Sequence, residues 1–281
     1  MIIIRFAEIG IKGKNRAFFE KALIRNIKSC LDKKNIEYKN IERPMGRVLI
    51  ATDDSCDCLQ CVFGIASFSD AVNAGFNMEQ VKKAALELAK ELNPEKSFRI
   101  TCQRLDKRFP LTSHEFDVEL GAFIQKKTNA KVRMKGFDLN IHAEIINGFV
   151  YLFTEKTPGL GGLPIGVEGN VLVLLDGENS LLAGLLMMKR GCRVIPVALK
   201  QSDTSLLEKY AFGQRIDLKV IKNISKIEAL AKELEAKALV VGDLLDTMKD
   251  YPADIPVLRP LVAYVPKEIE EELNGFRQRV C

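Results

Sequence analysis

The sequence predicts an α+β protein joined to an α/β one: two small mixed units over residues 1–157, then a Rossmann-like parallel-sheet domain over residues 170–281. Three observations carry this. From residue 170 onward apolar strand patterns alternate with helical ones, the order that right-handed βαβ crossovers and a doubly wound sheet require. In the first half, Asn147-Gly148 sits between two short β-rich runs, a strong local signal for an antiparallel hairpin. Between the halves, Thr157-Pro-Gly-Leu-Gly-Gly-Leu-Pro-Ile-Gly166 breaks every periodicity, so residues 158–169 are expected to be a Gly/Pro linker or hinge.

The elements follow in order. Met1–Ala7 reads as a strand, and Asn15 is placed to cap a helix from Arg16 to about Lys33 whose Phe19, Leu23, Ile27 and Leu31 share one face. Gly46–Ala51 is a second strand, Ser55–Val62 a short helix ending at Gly64, and Ala66–Val72 a third strand. This β-α-β-α order suits a small ferredoxin-like unit over residues 1–74. Residues 75–157 form the second unit: an amphipathic helix Met78–Leu92, a strand Ser97–Gln103, a helix capped by Ser113 that carries Phe116, Leu120 and Phe123, and the hairpin Ile141–Ile146/Phe149–Thr154. Beyond the linker come strand 171–175, helix 180–190, strand 193–199, helix 203–211, strand 218–220, helix 225–235, strand 238–241 and strand 256–258.

With 281 residues, 47% apolar and 28% charged, the chain has a globular composition and room for two or three domains. No apolar stretch reaches transmembrane length and no signal-peptide pattern opens the chain, so a cytoplasmic protein without membrane contact is expected. The seven cysteines, an odd count in a chain this long, point to reduced thiols rather than a disulfide framework. Net charge is +5, unevenly spread: residues 1–165 hold 26 Lys+Arg against 20 Asp+Glu, and residues 166–281 hold 16 against 17. That asymmetry fits a polyanion partner for the first half, and fits a solvated lysine-rich surface equally well.

Four segments carry candidate chemistry. Val171–Leu175, Asp176-Gly177 and the helix from Ser180 make a strand, a tight turn and a helix N-terminus, where unpaired N–H groups and the helix dipole favour an anion. Only one glycine lies in that turn, however, and Asp176 and Glu178 stand where a polyphosphate would sit. Near the start, Lys12, Lys14 and Arg16 surround two glycines ahead of a helix, a loop that either grips phosphates or merely turns. Arg104, Lys107 and Arg108 follow a strand beside Phe109, so cations could hold RNA phosphates while the ring stacks on a base, unless Phe109 is core. Cys56, Cys58 and Cys61 offer only three local thiols, one short of a tetrahedral metal site, and Cys58 and Cys61 would share a face toward the core.

The segment Glu8-Ile-Gly-Ile-Lys12-Gly-Lys14-Asn-Arg16-Ala-Phe-Phe-Glu20 resembles the opening of tRNA 4-thiouridine synthetases (tRNA sulfurtransferases). The resemblance continues through Gly46-Arg47, Val62-Phe-Gly-Ile65, Arg104-Leu-Asp-Lys107-Arg-Phe-Pro110, Leu120-Gly-Ala122, Gly161–Gly166, Met187–Gly191 and Ile255–Pro260, in order along almost the whole chain. It implies a ferredoxin-like domain (1–74), a THUMP RNA-binding domain (75–157) and a PP-loop-type domain (170–281). It also implies tRNA as partner, held through Lys12, Lys14, Arg16, Arg104, Lys107 and Arg108, and ATP-driven transfer of sulfur from a cysteine persulfide.

The chain departs from that family where ATP should bind. The family's S-G-G-x-D-S loop is matched best by Asp176-Gly177-Glu178-Asn179-Ser180, one residue shorter, with carboxylates that repel phosphates at close range. Asp176, Glu178 and Asn179 are expected instead to cap the helix and offset its dipole. A second family segment survives only as Gly242–Lys249, without its glutamine-rich remainder. After residue 165 the cysteines are Cys192, expected in the core, and Cys281, which leaves no evident persulfide pair. The reading is therefore a tRNA-binding relative of the synthetases with impaired ATP binding. ATP with magnesium is expected only if the loop still binds. The alternative is an active tRNA sulfurtransferase that takes sulfur from a partner protein; a modification-enzyme partner and a homodimer are compatible with either.

Overall fold

A computed structural model describes residues 1–6, 8–44, 46–252 and 254–281; Ala7, the last residue of the expected first strand, lies outside the described residues. The chain divides into two compact units, residues 1–5, 38–53 and 68–157 in the first, and residues 6–37, 54–67 and 158–281 in the second. Among the described residues, no helix is long and apolar enough to cross a membrane.

In the first unit β1 (Ile2–Arg5) pairs antiparallel with β3 (Val48–Ala51), Ile2 facing Ile50 and Ile4 facing Val48, and β2 (Asn40–Glu42) pairs antiparallel with β3. β4 (Ser67–Asp70) lies on the other side of β1. A second sheet is built from β5 (Val72–Asn73), β6 (Ser97–Arg104), β7 (Lys131–Val132), β8 (Leu139–Ile146) and β9 (Phe149–Phe153), in the order β5-β9-β8-β6-β7. β6 and β8 run parallel, and β8 and β9 form the expected hairpin. Asn147 and Gly148 take φ values of 48° and 83°, the paired positive angles of a type I′ turn, which is why this dipeptide closes it.

Helices α2 (Met78–Leu88) and α3 (Ser113–Thr128) cover this sheet with Val81, Ala85, Phe116, Leu120 and Ile124. The cap of α3 is Thr112 rather than Ser113. The Thr112 hydroxyl accepts from the Glu115 N–H at 3.2 Å while the Glu115 carboxylate accepts from the Thr112 N–H at 2.8 Å, a reciprocal capping box. The Ser113 hydroxyl accepts from the Arg104 N–H instead. A smaller core joins Ile3 and Leu49 to Ala71, Ile146, Tyr151 and Phe153. Beside it, Glu144 is buried between Arg5 and Arg47, accepting from each Nε at 2.6 Å.

The second unit contains α1 (Arg16–Lys33), whose expected face of Phe19, Leu23, Ile27 and Leu31 is buried. Asn15 holds the cap position, but its own backbone is helical and its side chain caps nothing; two 3-10 turns, Glu8–Ile11 and Gly13–Asn15, lead into the helix. Short strand β10 (Thr157–Pro158) precedes the five-stranded sheet of β11 (Asn170–Leu174), β12 (Arg193–Ala198), β13 (Lys219–Val220), β14 (Ala236–Val240) and β15 (Val257–Leu258). Its order is β13-β12-β11-β14-β15, with every pairing parallel. Between these strands run α4 (Glu178–Lys189), α5 (Ser205–Tyr210) and α6 (Ile227–Glu233).

Three findings depart from expectation. First, α7 (Pro266–Gln278) was not anticipated, although Pro266 in its first turn and Ile269, Leu273 and Phe276 at i, i+4, i+7 spacing mark an amphipathic helix. Second, the Gly/Pro segment is not a free hinge. Leu163 and Ile165 are buried, the Gly64 N–H donates to Gly161 O, the Leu163 N–H to Lys189 O and the Gly166 N–H to Gly191 O. Third, not all thiols are reduced: Cys61 and Cys281 form a disulfide, while Cys30, Cys56, Cys58, Cys102 and Cys192 stay outside any bridge. The Ser55–Val62 helix is a 3-10 turn, Asp57–Cys61, with Cys58 and Cys61 buried as their spacing implied.

Candidate functional site

In an open parallel sheet, ligands bind outside the carboxyl ends of the strands, where the strand order reverses. Here the chain leaves β11 toward β12 and β13 on one side and returns to β14 and β15 on the other, so that point lies at the end of β11. Asp176-Gly177-Glu178-Asn179-Ser180 occupies it, and a cavity of about 750 Å³ opens beside it, lined by Asp176, Glu178, Lys200, Asp203, Lys209 and Arg277 among others.

The loop's own groups are largely engaged with each other. Ser180 is fully buried; its hydroxyl donates to Gly177 O at 2.5 Å and accepts from the Asp176 and Gly177 N–H groups at 3.3 and 3.4 Å. Two N–H groups that could have met a phosphate are thus turned to a serine oxygen. The carboxylates do not cap the helix as expected, because Gly177 is the cap residue and makes no side-chain bond. Glu178 stands in the first turn, where its charge offsets the helix dipole, and accepts from Arg277 of α7 at 2.6 Å. Asp176 pairs with Lys249 Nζ at 3.6 Å.

The return strand closes the loop from the other side. Gly242, just beyond β14, lies so close to the start of α4 that a Cβ there would come within 2.6 Å of the Ser180 nitrogen and 2.8 Å of the Asn179 carbonyl carbon. Its neighbour Asp243 is buried and accepts from Tyr251 Oη at 2.9 Å, the Lys249 N–H at 3.2 Å and Arg259 Nε at 3.4 Å. Burial, and then the bond to Asp243, push the Tyr251 phenol upward. The sequence showed Gly242–Lys249 only as a truncated motif; the part of Asp243 in holding Lys249, Tyr251 and Arg259 had no signal of its own.

The cations singled out from the sequence fall in both units. In the second, Lys14 is exposed, Lys12 lies over the Phe19 ring at 4.6 Å with Glu168 at 3.9 Å, and Arg16 pairs with Glu20 at 2.7 Å. Glu8 pairs with Arg190 at 3.7 Å.

In the first unit Arg104 ends β6 and Lys107 and Arg108 lie in the loop that follows, and the three differ in employment. Arg104 donates to the carbonyls of Phe109 and Leu111 at 3.3 and 2.9 Å and so shapes the loop. Arg108 is clamped on Asp106, whose carboxyl that guanidinium holds well below the usual carboxylate range. Lys107 is exposed. Phe109 is buried against Phe76 and Phe116 and therefore belongs to the core, unavailable for stacking. A cavity of about 810 Å³ opens here between Arg43, Leu105, Lys107, Arg108, Ile146 and Asn147; Arg43 was not singled out from the sequence.

The chain is similar to known proteins over almost its whole length. Residues 1–69 match the ThiI ferredoxin-like domain and residues 76–155 the THUMP domain. A probable tRNA sulfurtransferase of Thermococcus kodakarensis is 33% identical over an alignment covering 96% of this chain and 85% of the relative. Among solved structures, PH1313 from Pyrococcus horikoshii Ot3 superposes with a TM-score of 0.87 at 32% identity, covering 98% of this chain and 99% of that one. A 4-thiouridine synthetase, solved as an RNA complex with bound ATP, superposes with a TM-score of 0.79 at 26% identity, covering 98% of this chain and 84% of that one.

Proposed function

The chain belongs to the tRNA sulfurtransferase family, and on that premise we propose that it is a tRNA-binding protein related to tRNA 4-thiouridine synthesis whose nucleotide loop is impaired. The observation that carries the impairment is the self-satisfied start of α4. Ser180 Oγ takes up two loop N–H groups, and the loop adds the Asp176 and Glu178 carboxylates, held by Lys249 and Arg277, beside the N-terminus of α4. At about 4 Å, each carboxylate–phosphate charge pair costs roughly 1 kcal/mol in water and about 4 at an effective dielectric near 20, so binding weakens on both counts. The tRNA reading rests on the THUMP match and on the exposed cations Lys14 and Lys107.

Calorimetric titration of the purified protein with ATP and magnesium tests the proposal. No binding in the micromolar range is expected; micromolar affinity would overturn the impaired-loop reading. One observation favours a second reading, an active sulfurtransferase supplied with sulfur by a partner: a cavity opens beside the loop and carries Lys200, Lys209 and Arg277. Loss of 4-thiouridine from tRNA in a deletion strain would establish that reading, and its persistence supports the binding one.

A further inference from the structure

One disulfide among five unbridged cysteines is an unusual economy, since a structural framework normally pairs its cysteines throughout. The thiols near this one are not scattered. Cys58 and Cys61 stand three residues apart on the 3-10 turn Asp57–Cys61, and Cys30 Sγ lies 3.6 Å from Cys58 O. Residues 279–281 lie along the same turn: Gln60 Nε2 donates to Val280 O at 2.7 Å, Arg279 donates to Gln60 O at 3.2 Å, and Lys34 Nζ donates to Cys281 O.

A 3-10 turn rises about 2.0 Å per residue and eclipses positions i and i+3, which puts about 6 Å between the Cα atoms of Cys58 and Cys61. That is inside the roughly 4.4–6.8 Å span a disulfide accepts. The Cys61–Cys281 bridge spans 5.6 Å between Cα atoms, so Cys61 is placed to bond either partner.

We propose that Cys58-Leu59-Gln60-Cys61 and Cys281 form a thiol–disulfide exchange centre, in which Cys58 displaces Cys281 from Cys61. The Cys58 thiolate attacks Cys61 Sγ; the Cys58–Cys61 bond forms as the Cys61–Cys281 bond breaks. Cys281 leaves as a thiolate and takes a proton from water, in place of the proton Cys58 gave up. One disulfide replaces another, so the step needs neither oxidant nor reductant.

The surroundings favour that direction of attack. A hydrogen bond from Cys30, then the nearby Lys34 ammonium, lower the Cys58 thiol, while Cys30 itself is held protonated by that bond and by burial. Cys58 and Cys61 are buried and Cys281 is half-buried, so the centre meets outside thiols and disulfides through Cys281. The exchange removes the covalent tie between residues 279–281 and the turn and leaves their hydrogen bonds to Gln60 and Lys34, while Tyr210 Oη, at 2.6 Å from Phe276 O, still holds the end of α7.

The test uses the full chain purified without reductant, quenched in acid, alkylated with N-ethylmaleimide and mapped by mass spectrometry without reduction. Both Cys61–Cys281 and Cys58–Cys61 linkages are expected in the wild type, and only the former in Cys58→Ser. In the native state N-ethylmaleimide should label Cys281 about ten-fold more slowly in Cys58→Ser than in the wild type or in Cys56→Ser. Absence of a Cys58–Cys61 linkage from the wild type, or equal labelling of Cys281 with and without Cys58, would overturn the proposal. Should Cys58→Ser fail to fold, the wild-type linkage map decides alone.

Discussion

Arg277 of α7 donates to Glu178, the first residue of α4, at 2.6 Å, so a cation from the far end of the domain occupies a carboxylate that stands at the anion-facing end of the helix. Both side chains are well exposed, and exposed pairs contribute only about 0–1 kcal/mol. Their weight falls on the nucleotide question. Asp176→Ser combined with Glu178→Gly removes both carboxylates and restores a second glycine. ATP affinity, read by calorimetry, should rise at least about ten-fold over wild type, corresponding to roughly 1.4 kcal/mol of removed repulsion. Unchanged affinity would show that these two carboxylates do not limit ATP binding.

Gly242→Ala drives a methyl group into the backbone of Asn179 and Ser180, atoms that cannot step aside as a flexible side chain would. Overpacking of this kind costs about 1–3 kcal/mol. The urea midpoint should fall accordingly, and a midpoint within error of wild type would show that the β14–α4 contact is looser than described.

Glu144 accepts from two arginines at once, within a buried group that leaves Arg5 Nη2 without a partner. Desolvation already lowers Arg5. Glu144→Gln keeps the shape and one acceptor but removes the one negative charge between two buried guanidinium groups, a loss of about 3–5 kcal/mol. Chemical denaturation measures it, and a loss below about 1 kcal/mol would mean that water reaches the site.

For RNA binding, Lys14 and Lys107 are the clean probes, because Arg104 and Arg108 shape the 104–111 loop through their own bonds. Lys14→Glu and Lys107→Glu should each weaken tRNA binding several-fold. The slope of log affinity against log salt should become shallower by about 1 for each lost phosphate contact. An unaltered salt slope in both variants would remove these lysines from the interface.

His142 stacks on Phe153 at 5.1 Å, and burial lowers its pKa from 6.5 to about 4. The unfolded chain therefore takes up the proton first as pH falls. Stability is unaffected by this group above about pH 6.5, declines as pH drops from there, and the loss is complete below the folded value. His142→Gln should flatten the decline between about pH 6.5 and 5, above the range where carboxylates with depressed pKa such as Asp106 and Asp138 contribute. Thermal unfolding across that window gives the comparison; parallel curves would contradict the assignment.

Local patterns were legible where one residue type has a single conformational use. Asn147-Gly148 announced its hairpin because two successive positive φ angles suit few other pairs. The apolar face of α1 appeared because its period is helical. The loop from Asp176 to Ser180 was found for the same reason: an apolar run, a glycine and a helix start lie next to one another in the chain.

Hydrogen-bond partners remote in sequence left no such trace. Thr112 and Ser113 are both good caps by composition, and the choice depends on which hydroxyl the Arg104 backbone claims. Phe109 looked able to stack on a base until Phe76 and Phe116 closed around it.

By itself, the sequence determined the alternation of strands and helices as far as residue 258, the parallel sheet, the family and the location of the loop, because each is set by periodicity and by motifs read in line. Only the tertiary structure decided that Asp176 pairs with Lys249, that Glu178 pairs with Arg277, and that Cys61 bonds to Cys281. Those depend on residues 73, 99 and 220 positions apart, brought together by packing that no local pattern encodes.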